Sequence, residues 1–123
     1  MHQNIAAEIF KAYDIRGIVD ESLSEDAVYL IGLAVAVRAR ELGVSHIVIG
    51  RDGRLSGPRL LARLAEALLD GGLNVIDVGM VATPMLYFAA HTLSQGSGIM
   101  LTGSHNPPQY NGLKMMVAGT TLS

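Results

Sequence analysis

The chain has no cysteine among its 123 residues. That excludes disulfides, thiolate metal sites and a cysteine nucleophile, and it suits a cytoplasmic protein. It has no Lys/Arg-rich run, and a formal charge of −2 gives it no electrostatic footprint for nucleic acid. It has no long hydrophobic run either. The longest apolar stretch, Ala27 to Val37, is interrupted by Gly32 and is well short of a bilayer span, so no membrane partner is expected. The first residues, Met1-His2-Gln3-Asn4, lack the basic-then-apolar pattern of a secretory signal. There is no internal repeat, low-complexity tract or linker.

What is present is a single domain's worth of core. Half of the residues are apolar, and the length suits one domain rather than two. Strand and helix signals alternate. Ile9 to Val19 reads as extended, ending in a turn near Asp20-Glu21. Ser24 is a good N-cap with Glu25 and Asp26 in the first helical turn, and Gly43 stops that helix after Leu42. This helix is apolar almost all round, which predicts that both of its sides are covered.

His46-Ile47-Val48-Ile49 is a short, largely β-branched run of the buried parallel kind. After a polar loop, Ser56 reads as the cap of a second helix with Pro58 in its first turn. Leu60, Leu61, Leu64, Ala65, Leu68 and Leu69 form its apolar stripe, and Arg59, Arg63, Glu66 and Asp70 its polar face. Gly71-Gly72 ends it, and Asn74 to Val78 is the next strand. Thr83-Pro84 reads as cap and first position of a third helix reaching Thr92. Ser97 to Leu101 and Leu113 to Val117 are strands, too closely spaced for a parallel crossover and hence antiparallel neighbours at one edge. The expected fold is α/β: a three-layer α/β/α open mixed sheet, mainly parallel with an antiparallel edge strand. Ligands collect outside the carboxyl ends of parallel strands, which puts the loops after Ile49 and Leu101 at the same, ligand-binding end.

Those two loops carry the informative motifs. Thr102-Gly103-Ser104-His105-Asn106-Pro107-Pro108 places a hydroxyl nucleophile on a turn, with Asn111-Gly112-Leu113-Lys114 close behind. Such residues also make ordinary loops. A Ser-His hydrolase dyad is disfavoured because adjacent residues rarely face each other and there is no G-x-S-x-G elbow. Phe10-Lys11-Ala12-Tyr13-Asp14-Ile15-Arg16-Gly17 and Gly50-Arg51-Asp52-Gly53-Arg54 complete the set. In this order, from about Ile9 to Leu122, the three motifs resemble the α-D-phosphohexomutases, most closely the phosphomannomutase/phosphoglucomutase branch.

The resemblance implies that Ser104 carries a phosphoryl group and passes it to a hexose monophosphate. The resulting 1,6-bisphosphate reorients and returns its other phosphate, interconverting 1-phospho and 6-phospho sugars. Phosphoryl transfer needs fixed cations. The implied catalytic set is Ser104, His105, Lys114 and Arg16; substrate contacts fall to Tyr13, Arg16, Ser104 and Asn106. A tight Asn111-Gly112 turn would fold Lys114 back over the serine. Each residue has a plainer reading as well: Lys114 as a solvated charge, His105 as a loop histidine, Tyr13 as a core or edge aromatic on the face of Lys11 and Ile15. His46 and His91 read as structural. Asp52 is expected to pair with a nearby arginine, its loop shaping the cleft and supporting the serine loop.

Gly103 stands where many family members have alanine. The larger departure is length. By the resemblance, residues 1–123 are expected to be the first of four domains, truncated at its C-terminal end, with the aspartate-rich metal loop, the sugar loop and the second phosphate loop belonging to the other three. Magnesium would find only the Ser104 phosphate here, so its binding is expected to be weak or absent. Glucose or mannose 1,6-bisphosphate is the implied activator, and the remaining phosphohexomutase domains and a hexose phosphate the implied partners. By itself the piece is expected to be inactive. Two other readings remain: a non-catalytic, self-associating or regulatory binding module, and an unrelated α/β hydrolase using Ser104.

Overall fold

The β-branched run around Val48 forms a strand with parallel neighbours on both sides, and the rest of the sheet is ordered around it. The computed structural model describes residues 14–94, 96–103 and 106–117. The elements are β1 (Asp14–Ile18), α1 (Glu25–Glu41), β2 (His46–Arg51), α2 (Gly57–Asp70), β3 (Asn74–Met80), α3 (Thr83–Leu93), β4 (Gly98–Leu101) and β5 (Tyr110–Met116). The five strands lie in the order β1-β5-β4-β2-β3. β4, β2 and β3 are mutually parallel, while β5 runs antiparallel to both β4 and β1. The mixed open sheet is the expected one, with one difference of detail. The antiparallel strand lies one place in from the edge, because β1 pairs along its outer side.

Two cores confirm the three layers. Ile47 and Ile49 of β2, Ile99 and Leu101 of β4, and Leu113 and Met115 of β5 face one way, toward Val28 and Val35 of α1 and Leu60, Leu64 and Leu68 of α2. Val48 and Met100 face the other way and are covered by Leu86 and Ala90 of α3. This alternation is the period-2 side-chain geometry of strands buried on both faces.

The helix ends show where local signals held and where they did not. Ser24 caps α1, its hydroxyl accepting from the Ala27 amide at 3.1 Å, and Glu25 and Asp26 sit in the first turn. Ser56 occupies the N-cap position of α2 but has helical backbone angles and makes no capping bond; its hydroxyl serves a different partner, described below. At α3 the cap is Ala82, so Thr83 and Pro84 are already inside the helix. The fixed φ of proline is met equally well one position further in.

The expectation that α1 is covered on both sides is overturned. Val28, Gly32, Val35, Ala36 and Ala39 are buried, but Leu30 and Val37 on the outer side are 65% and 57% exposed. The helix lies in an outer layer with α2 and the sheet on its inner side only. Leu69, expected in the apolar stripe of α2, is likewise exposed.

Small residues set the separation of α1 and α2. A Cβ built on Gly32 would lie 2.6 Å from Cβ of Ala67, and one on Gly71 would lie 2.3 Å from Cβ of Ala36. The two glycine–alanine contacts are four residues apart on each helix, so the helices touch along one side over a full turn. Polar bridges flank this contact. Arg59 binds Asp20 at 2.7 Å and Glu25 at 3.2 Å, and Arg63 stacks 4.1 Å over the Tyr29 ring. The Tyr29 hydroxyl donates to Asp70, whose carboxylate holds that phenol above its ordinary pKa. No helix among the described residues is long and apolar enough to cross a membrane.

Gly32→Ala weighs two effects against each other. Alanine gains about 1 kcal/mol of helix propensity, but its methyl meets another methyl fixed to a helix backbone, an overpacking cost of ~1–3 kcal/mol. Urea denaturation is expected to give a net loss of stability; a net gain would refute the close approach.

Candidate active site

The carboxyl ends of β2 and β4 lie side by side, with Arg51 in register with Leu101 and the Asp52 amide donating to the Leu101 carbonyl at 3.0 Å. The two motif loops therefore leave the sheet at the same end, as their positions after parallel strands predict. The loop after β2 bends back toward the loop after β4, and two charged side chains join them.

Asp52 holds the beginning of the serine loop. Its Oδ2 accepts from the Thr102 hydroxyl at 2.9 Å and the Gly103 amide at 3.0 Å, while its Oδ1 accepts from the Arg54 amide at 3.1 Å. Arg54 holds the far side of the same loop, donating to the carbonyls of Asn106 and Pro107, each at 2.7 Å, and of Tyr110 at 3.2 Å. The Arg54 Nε lies 3.6 Å from Asp52 Oδ2, so the expected Asp52–arginine pair is present. The side chains of the pair are 27% and 16% exposed, shielded enough for charge-assisted bonds to count.

Gly103 takes on a specific meaning here. A Cβ at this position would lie 1.9 Å from Arg54 Nε and 2.0 Å from Cζ. The glycine leaves the space in which the guanidinium sits while it spans the loop. Beyond loosening the backbone, it makes room for the arginine.

Lys114 reaches this end of the sheet by a route other than the one expected. Asn111-Gly112 is no turn: both residues lie within β5, and the chain reverses earlier, where the Tyr110 amide donates to the Pro107 carbonyl at 2.9 Å. Asn-Gly is a strong hairpin signal in isolation, but here pairing with β1 on one side and β4 on the other holds the dipeptide extended. Gly112 is needed for that pairing, since a Cβ on it would lie 2.6 Å from the Ile15 carbonyl oxygen and 3.2 Å from Cγ of Arg16.

Register then puts the two cations together. Arg16 pairs with Gly112, and Lys114 with Asp14 on one side and Met100 on the other. Paired residues share a face, so Arg16 and Lys114 both lie on the α3 side of the sheet as diagonal neighbours, a separation of about 7–8 Å in such pairs. Arg16 is exposed and Lys114 half-buried. Asn106 follows the serine position, its amide donating to the Gly103 carbonyl at 3.0 Å and its carbonyl taken by Arg54. Tyr13, Ser104 and His105 lie outside the described residues.

Thr102, whose hydroxyl meets Asp52, carried no expected role, and Asn111, expected in a turn, is instead a strand residue that is 1% exposed. The available signal was an asparagine set among apolar strand residues. Among the described residues no group of three His, Asp or Glu side chains converges on a metal position. Both Asp52 oxygens already accept hydrogen bonds from neighbouring residues.

Residues 7–123 match the family model described as phosphoglucomutase/phosphomannomutase, alpha/beta/alpha domain I. The chain belongs to this family. It is 61% identical over 120 residues to a phosphoglucomutase of Neisseria meningitidis serogroup A, covering 98% of this chain and 26% of that protein. To a phosphomannomutase/phosphoglucomutase of Pseudomonas aeruginosa it is 53% identical over 119 residues, covering 97% of this chain and 26% of that one. A crystal structure of a phosphoglucomutase/phosphomannomutase family protein from Burkholderia thailandensis superposes with a TM-score of 0.84 at 46% identity, over 94% of this chain and 27% of that chain. The chain thus spans about a quarter of the length of these phosphohexomutase relatives.

Hydrogen bonds to a charged partner contribute about 1.5–3 kcal/mol each. Asp52→Ala and Arg54→Ala should each destabilise the domain on that scale, and a double-mutant cycle by chemical denaturation should be clearly non-additive. Additive losses would mean that the two side chains hold the loop independently.

Proposed function

We propose that this chain is the phosphoserine-bearing domain of a hexose phosphate mutase, acting on glucose or mannose phosphates together with the family's other domains. The observation that carries the reading is the serine loop. It is held at both ends by Asp52 and Arg54 and stands at the carboxyl end of the sheet, beside the face that carries Arg16 and Lys114.

In this reading Ser104 holds the phosphoryl group. The bond from its Oγ to phosphorus breaks as a sugar hydroxyl oxygen bonds to phosphorus, and the proton released by that hydroxyl ends on the serine oxygen. The reverse step, on the reoriented 1,6-bisphosphate, restores the phosphoserine. Arg16 and Lys114 neutralise charge on the transferred group, the requirement that dominates phosphoryl transfer. His105 and Asn106 hydrogen-bond the phosphate or the sugar, and Tyr13 lines the sugar phosphate. Magnesium would take only the Ser104 phosphate from this chain, so no step is assigned to it here. Cytoplasmic location belongs to the same reading.

A second reading, a self-associating module without turnover, rests on the exposed apolar side chains Leu30 and Val37 of α1 and Met85 and Phe88 of α3. A coupled mutase assay on the chain alone, and on the chain mixed with the family's other domains, separates the two. Activity restored only in the mixture supports the mutase domain, and none in either weakens it.

In the reconstituted enzyme Arg16→Ala and Lys114→Ala should each lower turnover by about 100- to 1000-fold, the usual effect of removing one electrostatic stabiliser. Unchanged turnover in either variant removes that residue from the mechanism.

A further inference from the structure

Asn111 is an unfavourable choice where it stands. Asparagine is depleted in strands, and burying its amide costs free energy unless both ends are bonded. Yet it sits within β5 at 1% exposure, on the same face as the apolar Leu113 and Met115. Both ends are bonded. Its Nδ2 donates to the Ser56 hydroxyl at 2.9 Å, and its Oδ1 accepts from the Gly112 amide at 2.9 Å. Ser56 is available because it does not cap α2.

The pair completes a pattern. Asp52, Arg54 and Ser56 are alternate residues of one loop, and each reaches a different part of the 102–111 segment: Asp52 its start, Arg54 its far side, and Ser56 the point where it rejoins the sheet. The first two contacts are charged and partly exposed, so loop motion can be accommodated by exchange with water. The third is neutral and, on the Asn111 side, buried. Breaking it leaves the amide donor of a residue that is 1% exposed without its protein partner, the costly way to lose a hydrogen bond. It also fixes the residue next to Gly112, which lies under Arg16 and two places before Lys114.

We propose that Ser56 and Asn111 are positioning residues for phosphoryl transfer: their hydrogen bond fixes the return of the 106–110 segment to β5 and so aligns the far side of the serine loop with the strand that carries Lys114. This rests on the mutase reading above.

The first test needs no activity. In the 123-residue chain, hydrogen exchange is followed at Asn106 and Tyr110, whose amides bond within the loop, with the Ile99 amide as control. Ser56→Ala should speed exchange at the two loop amides about tenfold, the order expected for one lost hydrogen bond, with the control unchanged. Ser56→Thr, which keeps the hydroxyl, should restore the slow rate. Unchanged loop exchange, or equal acceleration at Ile99, overturns the proposal.

The second test uses the reconstituted mutase. Ser56→Ala should lower kcat about tenfold with KM unchanged, and Ser56→Thr should recover it. Full kcat in Ser56→Ala, or a rise in KM alone, overturns the positioning role. If wild type itself shows no mutase activity, the functional reading falls, and the exchange pattern still decides whether the bond holds the loop.

Discussion

Asp52 is a carboxylate with donors from three residues around it, and the arrangement of the rest follows from satisfying it. Thr102 and Gly103 approach from one strand's end, and Arg54 from its own loop. A charge that is only partly exposed is stable when its acceptor sites are filled. Filling them forces the loops after β2 and β4 together. Once they are joined, Arg54 lies under the serine loop and takes its carbonyls, and Gly103 is the residue that leaves it space. A parallel sheet brings such loops to one end by topology. The carboxylate turns that proximity into a fixed geometry.

The layers below serve this end of the sheet. Fully buried side chains of β2 and β4 are gripped from both faces, and the glycine–alanine contacts between α1 and α2 seat those helices at close range. Arg59 ties the start of α2 to the turn after β1 and to the start of α1. The strand carrying Arg16 and the helix following the Asp52 loop are thereby linked away from the site itself. The α3 side of the sheet is covered over β2 and β4, while Arg16 stays exposed on β1.

Much of this was legible in the residues. The β-branched run at 47–49, the Ser24 cap, the glycine stops and the short spacing between the last two strands specify the layers, because each is a local signal that agrees with the fold around it. The Asp52–arginine pair and its supporting role were also readable, through the family resemblance. Other features depended on neighbours distant in sequence. Asn111-Gly112 carries a turn signal that two flanking strands override, Ser56 gives up a capping role to a side chain 55 residues away, and α1 exposes apolar residues because nothing lies beyond it among the described residues. Register, which brings Arg16 and Lys114 to one face, is likewise set by pairing and by no local pattern.

The most direct test of the central claim is the mass of the chain, mixed with the family's other domains, before and after incubation with glucose 1,6-bisphosphate and magnesium, followed by peptide mapping. A single phosphate on Ser104, absent from Ser104→Ala and diminished in Asp52→Ala, is the result predicted if the clasped loop presents a phosphoryl-carrying serine. A chain that stays unmodified at Ser104 under both conditions, or takes its phosphate elsewhere, would contradict it.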